Sequence, residues 1–120
     1  MGLDMYVFIT AEPLPEAVDF ATPKGTIQLH YWRKHPNMHG WMRELYLSKG
    51  GKEPDYPAVR LDLCDLDLLK EAIESGTLPE TSGFFFGQSD GFEAEDDLIF
   101  VRRARQALEA GMSVYYVADW

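Results

Sequence analysis

At 120 residues the chain has room for one domain, and 46% hydrophobic content with 3 Trp, 6 Tyr and 7 Phe excludes intrinsic disorder. A net charge of −9 disfavours direct contact with the phosphate backbones of nucleic acids. No apolar run approaches the ~18–20 residues of a membrane span, and one cysteine with no basic secretory start makes the chain read as cytoplasmic.

In chain order, residues 5–11 form a first strand that is apolar on both faces, with Met5, Val7 and Ile9 on one and Tyr6 and Phe8 on the other. Three prolines between 12 and 25 make a loop. A second strand starts at Thr26, placing Ile27, Leu29 and Tyr31 on one face and Gln28, His30, Trp32 and Lys34 on the other. Pro36 stops it, and Asn37 is expected to cap a helix with the stripe Met38, Trp41, Met42 and Leu45. His39, Arg43 and Tyr46 then fall on an outer flank. Gly50-Gly51 and Pro54 end this helix, and Val59, Leu61 and Leu63 alternate as a third strand. Asp62 with Asp65 makes a capping-box variant for a helix that buries Leu66, Leu69, Ala72 and Ile73 and stops at Gly76.

Residues 76–93 read as irregular. A last helix over 94–110 turns Phe100, Val101, Ala104, Ala107 and Leu108 inward, with Glu95, Asp96 and Asp97 at the positive end of its dipole. Residues 112–120 make a closing strand. The expectation is a single α+β domain over 1–120, a mixed or antiparallel sheet of about four strands with helices packed mainly on one face.

Residues 1–60 hold seven basic and seven acidic side chains, whereas 61–120 hold four basic and thirteen acidic. Against that background the stretch HYWRKHPNMHGW (30–41) stands out, because it gathers all 3 histidines, two tryptophans and a basic pair. His35 and His39 are four apart, a spacing that can supply two metal ligands on a helix. No glutamate follows His35 as in zinc hydrolases and Cys64 is alone, so no metal or other cofactor is expected. Cys64 sits at a strand-to-helix turn where a thiol pKa can fall, but small buried cysteines are the commoner case. No nucleophile elbow and no glycine-rich phosphate loop is present.

One constellation suits a small anionic ligand, phosphate- or nucleotide-like. Arg33 and Lys34 precede a helix N-terminus that offers free N–H groups, His39 and Arg43 flank them, and Trp32 and Trp41 would wall a planar ligand. The plainer reading is that both tryptophans are core and the charges are solvated. TSGFFFG (81–87) puts Phe84, Phe85 and Phe86 in a row, which one sheet face cannot bury together. They are candidates for partner contact, as is Ile99 on the polar flank of the last helix among Arg102, Arg103 and Gln106.

The blocks GLDMY (2–6), YWRK (31–34), HGW (39–41), TSGFFFG (81–87) and the terminal YY…W (115–120) resemble a group of short proteins encoded by tailed phages and prophages. The resemblance runs from end to end in the same order, with His35-Pro36-Asn37-Met38 departing from it. It implies a phage accessory protein and names no substrate. Some relatives carry a metabolic-kinase label, which a chain this short without a nucleotide loop does not support. The expected function is therefore non-enzymatic binding of a host or phage protein. The alternatives are an anionic-ligand binder at 31–41 and, behind it, an enzyme using His39 as base.

Overall fold

The computed structural model describes residues 2–20, 23–52, 58–81 and 93–119. The elements run β1 (Asp4–Thr10), β2 (Ile27–Arg33), α1 (Pro36–Ser48), β3 (Val59–Leu61), α2 (Leu63–Ser75), α3 (Ala94–Glu109) and β4 (Ser113–Asp119). The strands form one sheet in the order β2-β1-β4-β3, and every neighbouring pair is antiparallel.

Alternation decides which residues meet the helices. Met5 and Val7 of β1 lie on the same face as Trp32, Ala118, Tyr116, Val59 and Leu61, and these close over Met38 and Met42 of α1, Leu66 and Leu69 of α2, and Phe100 and Ala104 of α3. All three helices thus cover one face, and the α+β expectation holds. The other face carries Tyr6, Phe8, Tyr31 and Tyr115. There Phe20 packs edge-on against Tyr115, while Tyr6 stacks on Phe8 and leans on Tyr31. The first strand was expected to be buried on both sides; it is buried by helices on one side, while Tyr6 and Phe8 on the other are half-buried among the rings of Tyr31 and Tyr115.

Three local expectations change. His30 pairs with Val7 but Gln28 pairs with Phe8, so Leu29 is an extra residue, a bulge in β2. Ile27 therefore shares the face of His30 and Trp32, and Gln28 shares that of Tyr31, the reverse of strict alternation. The N-cap of α1 is His35 rather than Asn37, because proline has the fixed φ and missing N–H that suit the first helical position. Leu63 starts α2 and is exposed instead of ending β3, and Cys64 beside it is exposed too. The Asp62–Asp65 capping box is present, and Gly76 ends α2 at a left-handed φ of 69°.

Candidate functional site

The site forms where the end of β2 and the start of α1 meet the first turn of α3. After Arg33, Lys34 adopts a left-handed φ of 55°, with its N–H bonded to Leu3 O at 2.8 Å. This kink costs a non-glycine residue about 1 kcal/mol, and beyond it the chain enters α1.

Trp32 and His35, on either side of the kink, both reach Asp97. One Asp97 oxygen accepts the Trp32 Nε1–H at 2.8 Å, and the other lies 2.9 Å from His35 Nε2. A carboxylate only accepts, so Nε2 of His35 carries a proton and Nδ1 faces Glu93 Oε1 at 3.8 Å. Asp97 is 1% exposed. A buried carboxylate without partners is strongly destabilising; two N–H donors and the N-terminal dipole of α3 offset that here. One residue earlier, Asp96 lies 2.9 Å from His30 Nε2, whose ring packs on Trp32 and Phe100. The acidic first turn of α3 therefore anchors the crowded 30–35 segment.

His39 points elsewhere. It is 1% exposed, and its Nδ1 lies 2.7 Å from the Tyr116 hydroxyl on β4. Burial, reinforced by the nearby Arg43 charge, pushes its pKa down to about 4. Burial alone holds the Tyr116 phenol well above its usual range. The pair is neutral at pH 7 and sits in the core, so His39 is not a solvent-accessible base.

The anion constellation expected from the sequence is not assembled. Trp32 and His39 are buried, and Trp41 packs half-buried against the core. Arg33, Lys34 and Arg43 are exposed, with Arg33 lying 3.6 Å from Asp4. The physical reason is that α1 buries a broader face than the Met38–Leu45 stripe. Tyr46 is fully buried as well, donating its hydroxyl to Asp19. Of the proposed partner contacts, Ile99 is 39% exposed, while Phe84, Phe85 and Phe86 lie outside the described residues.

A cavity of about 300 Å³ opens beside the His35–Asp97 pair, with His35, Asn37 and Glu93 as its polar wall and Ile73, Leu78 and Ala94 as its apolar one. Asn37 also accepts the Thr81 N–H at 3.0 Å, which ties the first part of the α2–α3 connection to α1. Among the described residues no three His, Cys, Asp or Glu side chains converge to hold a metal ion. Chemically, this corner sets a carboxylate, an amide and an oriented imidazole beside an apolar wall. The residues missed from sequence are Asp97, Glu93 and Tyr116. Asp97 left a signal, since it precedes Phe100 and Val101 by three and four positions and so belongs to the inward stripe. The chain matches no protein-family model, no curated protein and no solved structure.

Proposed function

We propose that this is a non-enzymatic accessory protein, of the tailed-phage type its sequence resembles, that binds a protein partner along β2. The observation that carries this reading is a contrast between the two edges of the sheet. The β3 edge is closed by residues 14–19: Arg60 N–H donates to Ala17 O, Asp19 N–H to Ala58 O, and the Arg60 guanidinium to Leu14 O. Val18 bridges Val59 there. The β2 edge has no strand beside it among the described residues, and it exposes Ile27 (60%) and Tyr31 (42%). Exposed edges are normally blunted because they template pairing with another chain. An extended partner segment would add as a fifth strand, with main-chain bonds for affinity and apolar side chains meeting Ile27 and Tyr31 for specificity.

The test is capture from host or phage-infected cells with wild type and with an Ile27→Glu/Tyr31→Glu variant, followed by hydrogen exchange on the captured complex. Wild type should retain a partner that the variant loses, and the β2 amides pointing away from β1 should become protected. Equal capture by both, or no protection along β2, refutes the edge. A second reading rests on the cavity beside His35, which would suit a small molecule with N–H or O–H donors. Thermal shift with small amines and polyols checks it, with no shift at any concentration counting against it.

A further inference from the structure

The acidic second half of the chain has four basic side chains, and three of them converge. Lys70 on α2 and Arg102 and Arg105 on α3 line a groove of about 360 Å³ between the two helices, with Leu98 and Val101 along its floor. Glu74 stands on the α2 rim, and Arg105 pairs with Asp67. Three cations against two carboxylates leave the groove net positive inside a protein of net charge −9. None of the ion pairs formed by the described residues involves Lys70 or Arg102. Ile99, 39% exposed, sits one helical turn before Arg102 and extends the apolar surface beyond the rim. Arg105 has Asp67, whereas Lys70 and Arg102 are left to be complemented by carboxylates from outside.

We infer that this groove docks an acidic amphipathic helix of a partner protein, its apolar residues on Leu98 and Ile99 and its carboxylates on Lys70 and Arg102. The lining on α3 runs from Leu98 to Arg105, roughly 10 Å at 1.5 Å per residue, so the groove meets about two turns of a partner helix. Arginine at the rim suits carboxylates in particular, because its planar fork pairs with them through two parallel bonds. This surface is separate from β2, and its occupancy does not depend on the edge-pairing reading.

The experiment titrates the ¹⁵N-labelled full chain with a synthetic helical peptide of about 15 residues, leucine at i, i+3, i+4 and i+7 and glutamate elsewhere. Amide shifts should be confined to the surroundings of Lys70, Leu98, Ile99 and Arg102 and saturate below about 1 mM peptide. Affinity should fall at least about tenfold in Lys70→Glu/Arg102→Glu and weaken as salt rises. Equal binding of a peptide with lysine in place of glutamate overturns the proposal, as do shifts centred elsewhere or no saturable shift. Peptide-free shifts that grow with protein concentration would assign the groove to a second copy of this chain instead. If the double variant does not fold, Arg102→Gln carries the test, and unchanged affinity there overturns the proposal.

Discussion

His35 and His39 are four residues apart at the start of one helix, yet they live in opposite chemistries. His35 meets two carboxylates at the start of α3, Asp97 of its first turn bonded to Nε2 and the N-cap Glu93 at 3.8 Å from Nδ1. His39 meets a phenol from β4 and is held neutral by burial. His35 is the N-cap, with non-helical backbone angles of φ −113° and ψ 72°, so its ring leaves the chain toward α3 while His39, inside the helix, faces the sheet. Spacing alone suggested a common ligand for the two rings; their partners separate them into a charged corner and an apolar one.

Breaking the charged corner should give the largest effect. Asp97→Ala leaves the Trp32 indole N–H and the His35 imidazole buried without their acceptor, and should lower stability by about 3–5 kcal/mol. Urea midpoints measure this, and a loss under about 1 kcal/mol would show that the corner relaxes around water.

The apolar corner predicts a pH dependence of nearly the same size. The His39 pKa in the fold, about 4, lies below the ~6.5 of the unfolded chain. As pH falls, the unfolded chain takes up the proton first, so stability is complete above pH ~6.5 and drains as pH drops toward about 4. The total is up to roughly 3 kcal/mol. Unfolding curves at stepped pH for wild type and His39→Leu isolate the contribution: the variant should be flatter over that window. Parallel curves would mean that His39 is not the titrating group.

Two smaller changes sharpen the contrast. Tyr116→Phe removes the hydroxyl that meets His39 Nδ1 and should cost about 1–2 kcal/mol by thermal or urea unfolding, since a buried nitrogen loses its partner. Asp96→Ala removes the His30 contact from a carboxylate that is 55% exposed, so its cost should stay below about 1 kcal/mol. A larger loss for Asp96 than for Tyr116 would reverse the order of the two corners.

Much of the fold was legible because periodicity reports burial directly. The four strands, three helices and their order came from alternation of 2 and 3.6 residues, and the Asp62–Asp65 box and Gly76 stop came from side-chain chemistry that acts within a few residues. The candidate site was legible only as a place. Segment 30–41 was identified by its composition, but the roles assigned to Trp32, Lys34 and His39 assumed that polar residues face solvent. His39 and Asp97 are buried because each finds a partner more than sixty positions away in sequence, and no local pattern encodes that pairing.

What the amino-acid sequence settled alone was therefore local and short-ranged: which segments are strand or helix, which stripe of each is apolar, where most of them start and stop. Tertiary structure decided what those elements meet. It left β2 with no further strand beside it among the described residues and set residues 14–19 against β3, turned the acidic start of α3 onto His30, Trp32 and His35, and gathered Lys70, Arg102 and Arg105 between two helices. Such outcomes depend on packing free energies summed over the whole chain, in which a single buried carboxylate is tolerated because distant donors reach it.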